Sequence, residues 1–296
     1  MKYLKIIGLW LVVAAMAGLV ACEKAVMDDD DMEQPEKQGN VVIRTSIYNI
    51  VPFNDTRAVQ SMADYCTTIS FVFYQDGSKV KSFTQKKGDA GFGQLTTTLA
   101  AGTYQLLILA HSCPFGNPTM SDPAAIKFTN TDSGYSDTFY YYDDLTVAEA
   151  QNTYDLMLQR ATSMASITIN DDSMPEEVVK IRLYWEGESG VFNATTGWGG
   201  TTNSKQYVMY DVAGQPTPLT LNAYTFLRNE TGTLTITLTA YDSHDAAIAE
   251  KVLKDVPMKN RMVTEYAGKL FTSTNTDLVF NLQAETDWEV YEQVAF

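Results

Sequence analysis

Leu234-Thr235-Ile236-Thr237-Leu238-Thr239 is the stretch that decides the fold. Apolar side chains at every second position match the two-residue repeat of a strand rather than the 3.6-residue repeat of a helix. The threonines between them describe a half-buried strand, with one face on a core and the other in water. Similar segments recur on both sides. Strand candidates follow at 166–170, 178–185, 205–212, 219–227, 234–241, 248–256, 264–271 and 278–283. An earlier series lies at 41–50, 69–75, 79–84, 93–99, 104–111, 138–142 and 154–160. Asp76-Gly77, Gly88-Asp89, Ala101-Gly102 and Asn117-Pro118 supply the turns expected between such strands. The stretch 113–135 has no strand pattern and reads as a crossover loop, and 147–152 is the one helix-like piece of the first half. The class is therefore all-β, as two β-sandwiches of ordinary size: 40–162 and 163–296.

Composition agrees with a folded, strand-rich chain. At 45% hydrophobic and 11% aromatic, there is ample material for cores. The formal charge of −15 excludes nucleic acid as a partner, because phosphate neutralisation needs clustered Lys and Arg and the longest basic cluster is Lys86-Lys87. An anionic membrane surface would be repelled as well.

The N-terminus is built differently. Lys2 and Lys5 precede an apolar segment, 6–20, which ends in Leu19-Val20-Ala21-Cys22. That segment is short for a membrane span, which takes about 20 apolar residues. It reads as a signal peptide, 1–21, with Cys22 as the residue that is cut before and lipidated. The acyl chains would then hold the protein to a membrane. Residues 22–39, with the acidic run 28–31 followed by Pro35 and Gly39, read as a polar tether.

Two cysteines remain, Cys66 and Cys113. They bracket two apolar runs, and if those strands are antiparallel neighbours both sulfurs fall at one end of the sheet, so a disulfide is expected in an oxidising compartment. Metal binding is the weaker alternative, since His111 and Cys113 form a lone pair of ligands. No cofactor is expected. Neither His111 nor His244 sits in a catalytic signature, no nucleophile elbow, zinc-protease or phosphate-loop pattern occurs, and the chain reads as non-enzymatic.

Several segments carry a resemblance. They are the lipoprotein cysteine with its acidic tether, Leu99-Ala100-Ala101-Gly102-Thr103-Tyr104 entering an apolar strand, and the mid-chain Arg160-Ala161-Thr162-Ser163-Met164-Ala165-Ser166-Ile167-Thr168-Ile169. Others are Val256-Pro257-Met258-Lys259, Gly268-Lys269-Leu270-Phe271, and the ending Phe280-Asn281-Leu282 with Asp287-Trp288. In order and spacing these resemble the fimbrial anchor lipoproteins, the FimB-like fimbrillin-associated subunits of type V pili. The resemblance implies two tandem transthyretin-like Greek-key β-sandwiches. It implies a surface-exposed outer-membrane lipoprotein whose partner is the fimbrial shaft subunit (fimbrillin), joined by β-strand addition, with an influence on shaft length.

Two site readings depend on it. The tail Asp287, Trp288, Val290, Tyr291, Val294 and Phe296 is either a strand donated to the shaft or a last strand of its own domain; Trp288, Val290 and Tyr291 break strict alternation. Arg57 is either a solvated loop residue or a processing site, at which cutting would sever the first strand as in related shaft subunits. Alternatives to the anchor are a tip or shaft subunit, and a surface glycan-binding lipoprotein that uses Phe139, Tyr140, Tyr141, Tyr142, Trp185, Trp198, Tyr207 and Tyr210 as stacking aromatics.

Overall fold

A computed structural model describes residues 37–47, 61–113, 118–128, 134–201, 203–272 and 289–292. Cys22, Arg57, Asp287, Trp288, Val294, Phe296 and the strand expected at 278–283 lie outside them.

The first half runs β1 (Gln38–Ile47), α1 (Met62–Tyr65), β2 (Thr68–Gln75), β3 (Ser78–Lys86), β4 (Gln94–Ala100), β5 (Gly102–His111), β6 (Ile126–Lys127), β7 (Thr138–Val147) and β8 (Gln151–Arg160). Seven of these strands lie in the order β3-β2-β5-β7-β8-β1-β4. β7 and β8 share only the pairs Phe139 with Arg160 and Tyr140 with Gln159, so the sheet folds there into two layers. Val41, Ile43, Leu95 and Leu99 of one layer meet Phe71, Phe73, Leu106 and Ile108 of the other in a common core. Each such side chain contributes about 1.5–3 kcal/mol on burial. β1 is an interior strand, parallel to β8 and antiparallel to β4. The β2–β3 hairpin closes on Asp76 and Gly77, whose φ angles of 49° and 75° are those of the turn that such a dipeptide favours.

The second half runs β9 (Ser163–Ile169), β10 (Lys180–Ser189), β11 (Val191–Asn193), β12 (Trp198–Gly199), β13 (Asn203–Asp211), β14 (Leu219–Thr225), β15 (Thr231–Tyr241), β16 (Ala247–Lys259), β17 (Met262–Gly268) and β18 (Glu289–Glu292). Sheets β13-β10-β15-β16 and β14-β9-β17-β18 face each other. Leu234, Ile236 and Leu238 point into that core, as their alternation requires, beside Ile181, Leu183 and the fully buried Trp185. The Trp185 indole N–H is satisfied by the Tyr224 carbonyl at 3.1 Å. Thr239 departs from the pattern: it is buried between Arg182, which donates to its hydroxyl, and Glu250, which accepts from it.

Two local expectations are corrected. Residues 147–152 are the turn that carries the chain from β7 in one layer to β8 in the other, closed by Asn152, whose side chain accepts from the Ala148 N–H and donates to the Ala148 and Ala150 carbonyls. An asparagine that captures turn backbone in this way outcompetes one marginal helical turn. The crossover stretch 113–135 is not wholly irregular, since it contains β6.

Candidate functional site

The two halves share a third core, and it lies between them. β2 and β5 are buried on both faces. Phe71, Phe73, Leu106 and Ile108 point into the first sandwich, while Val72, Tyr74, Leu107 and Leu109 point out of it toward the second half. There they meet Phe192 and Phe226 of the second half and Phe128 of the crossover. Phe226 is the hub, with ring centroids 5.0 Å from Phe128, 5.3 Å from Phe192 and 5.5 Å from Tyr135. Tyr140 packs edge-on against Phe192 at 4.7 Å. Such aromatic pairs add about 0.5–1.5 kcal/mol each beyond the area they bury.

Main-chain bonds reinforce the contact. β6 pairs antiparallel with β11, which pairs with β12, so crossover and second half form one small sheet. The Ala194 N–H also donates to the Pro123 carbonyl at 2.9 Å. Arg261 bridges from the far side, donating to the Gln159 amide oxygen at 2.6 Å and the Tyr140 hydroxyl at 3.2 Å. Within the second half, Gly199 lets β12 lie against the main chain at Phe226, because a Cβ there would stand 2.5 Å from the Phe226 carbonyl oxygen. Ala161 and Thr162, which join β8 to β9, are buried. The connection is packed into the junction.

A cleft of about 370 Å³ opens beside the junction, lined by Tyr65, Tyr135, Asp137, Tyr210, Asn222 and Tyr224. Arg160 grips the Asp137 carboxylate with two nitrogens at 2.9 and 2.8 Å and stacks over Phe139, and Thr162 donates to the same carboxylate at 3.0 Å. Burial raises the Tyr224 hydroxyl to about 12, so it remains protonated. His111 is fully buried against Phe128, its Nδ1 accepting from the Cys113 N–H. Burial, with a smaller contribution from the Lys86 charge, lowers its imidazole to about 4 and keeps it neutral. Among the described residues no group of three or more His, Cys, Asp and Glu side chains could hold a metal.

Strand adjacency around the cysteines is as expected, with Thr68 paired to His111, but the disulfide is not formed. Cys66 turns into the first core and its Sγ donates to the Met62 carbonyl; Cys113 packs on the opposite face, toward the junction, with its Sγ 3.4 Å from the Ser136 hydroxyl. The sheet stands between the sulfurs. Burial raises the Cys66 thiol to about 12, so it is not a nucleophile.

Of the eight aromatics singled out for stacking, Phe139, Tyr140 and Trp185 are buried, Tyr141, Tyr142, Trp198 and Tyr210 are half-buried, and Tyr207 is exposed. Tyr207 lies directly across from Tyr184 on the outer face of β13-β10-β15-β16, where Met209 and Val252 are also exposed. In the tail, the segment containing Val290 and Tyr291 is β18, paired parallel to β17 at one end of its sheet. Sequence reasoning missed the junction residues Phe128, Phe192 and Phe226. The available signal was the unbroken apolar runs of β2 and β5, which mark strands covered on both faces.

Several solved structures are similar to this chain at low identity. A Bacteroides thetaiotaomicron protein whose polysaccharide-binding description is itself inferred superimposes with a TM-score of 0.50 at 12% identity, over 81% of this chain and 94% of that one. The fimbrial anchor protein Mfa2 from Porphyromonas gingivalis gives 0.41 at 10%, over 78% and 90%. A fimbrial assembly protein from Parabacteroides distasonis gives 0.40 at 11%, over 80% and 92%. No curated protein matches the chain by sequence. The profile of the family of unknown function DUF6562 matches residues 33–293.

Proposed function

We propose, from the premise that the chain belongs to the family of unknown function DUF6562, that it is a non-enzymatic cell-surface lipoprotein which anchors a fimbrial shaft. The observation that supports this reading most is the junction. A protein in series between a membrane lipid and a polymer carries tension through its whole length, and here tension meets a buried aromatic cluster and a shared small sheet instead of a free linker. Lipid on Cys22 would fix one end in the outer membrane. The interior position of β1 supports an anchor over a shaft subunit, because its removal would strip Val41 and Ile43 from the core. Among the described residues no helix is long and apolar enough to cross a membrane, so attachment in this reading rests on the lipid.

Removing the gene should shed intact fimbriae into the medium, and Cys22→Ala should release protein and fimbriae together. Immunogold label should sit at the fimbrial base. Fimbriae that stay attached without the gene would contradict the anchor. One observation favours a second reading, glycan binding: the exposed Tyr207 beside Tyr184 on the outer face of the sheet. Polysaccharide binding abolished by Tyr207→Ala would establish it.

A further inference from the structure

Among the described residues, the seven-strand order of the first sandwich ends in two edges, β3 and β4. The described contacts across the mouth between them are made by side chains. Gln85 of β3 accepts from the Gly93 N–H at 2.9 Å and donates to the Gln94 carbonyl at 2.6 Å, and Lys81 donates to the Thr98 carbonyl at 2.8 Å. Gln94 and Thr98 are two of the alternate residues of β4 whose main chain points away from β1, and Thr96 lies between them. The Gln85 carboxamide and the Lys81 ammonium therefore occupy two acceptors, the Gln94 and Thr98 carbonyls, that a further strand would otherwise use.

Composition at this mouth is unusual for the chain. Within a protein of net charge −15, β3 and the residue after it carry Lys79, Lys81, Lys86 and Lys87; Lys81 faces the mouth, while Lys79 and Lys86, paired with Tyr74 and Thr68, lie on the other face of the strand. The half-buried alternate positions of β3 are Lys81, Phe83 and Gln85, so two polar side chains stand where a closed sandwich would place apolar ones. Edge lysines ordinarily discourage pairing. Here Lys81 is bound to the very main chain that a strand would pair with.

We propose that the β3–β4 mouth is a docking site for an extended, carboxylate-bearing segment of the fimbrial shaft subunit, which displaces Gln85 and Lys81 and pairs with β4. The partner's acidity follows from charge complementarity with Lys81 at the mouth and the other lysines along β3, and its extended form from the β4 carbonyls that become free. This rests on the anchor reading. The mouth can be closed in the full-length protein on the cell, using Lys81→Cys with Thr98→Cys joined by a short bis-maleimide, and reagent-treated wild type as control. Folding of the joined protein is checked by its circular dichroism and melting temperature. The joined variant should stay in the membrane and shed at least tenfold more fimbriae than the unjoined variant, and Lys79→Glu with Lys81→Glu should shed them increasingly as salt is lowered. If gene removal sheds fimbriae but the folded, joined variant and the charge-reversed variant both retain them, the mouth is not the docking site. If gene removal leaves fimbriae in place, the anchor reading fails and the docking site with it.

Discussion

β15 and the β2–β5 pair are all interior strands, yet they are buried on different numbers of faces. β15 covers Leu234, Ile236 and Leu238 while Thr235 and Thr237 remain partly in solvent. β2 and β5 give one set of apolar residues to the first core and the other set to the junction. A strand like β15 holds one sandwich together. A strand like β2 holds a sandwich together and also fastens it to its neighbour, so the same number of residues ties more of the molecule into one unit.

The difference can be broken most strongly at Phe226. Phe226→Ala removes the ring around which Phe128, Tyr135 and Phe192 gather, and should cost about 3–5 kcal/mol in denaturant unfolding. If the junction makes the halves unfold together, this variant should also split one transition into two. On β15, Thr237→Ala touches only the solvent side and should stay within about 0.5 kcal/mol. Comparable losses at the two sites would mean that the second face of β2 and β5 adds nothing.

A second, smaller effect comes from the imidazole on the junction side of β5. Folded His111 titrates near 4 and its unfolded counterpart near 6.5, so the unfolded chain binds the extra proton first as pH falls. Stability from this residue is complete above about 6.5 and is lost progressively down to about 4. The limit is on the order of 3 kcal/mol. His111→Gln should flatten that part of the stability profile, measured by denaturant midpoints between the two values. An unchanged slope would mean that the imidazole is hydrated in the native state.

Local pattern explains what was legible. The period-two stretch at 234–239 led to β15, and Asp76-Gly77 led to a real hairpin, because both signals are carried by neighbouring residues. The junction was not legible in the same way. Phe128, Phe192 and Phe226 are far apart in sequence, and β6 and β11 are too short to show any period. Their pairing is decided by which strands already lie side by side. The runs at 69–74 and 106–110 carry the pattern of strands buried on both faces, but an apolar run does not name what covers its second face. The cysteines followed the same logic: adjacency of β2 and β5 was readable, whereas the opposite faces taken by the two sulfurs depended on the conformation outside those strands.

That last point gives the smallest expected effect and the sharpest test of two-faced burial. Cys66 belongs to the first core and Cys113 to the junction side, with both thiols free. Reductant should leave the melting temperature unchanged, because it has no bond to break, whereas a native disulfide contributes about 2–4 kcal/mol. Thiol counting adds a directional check. Both groups should resist alkylation in the native protein and react fully once it is unfolded without reductant, with Cys113 the first to react as denaturant rises because it is less buried. A drop in melting temperature on reduction, or a peptide map joining the two cysteines, would show that both sulfurs reach one side of the sheet. The division of faces at that end of β2 and β5 would then be wrong, although the pairing of Thr68 with His111 would stand.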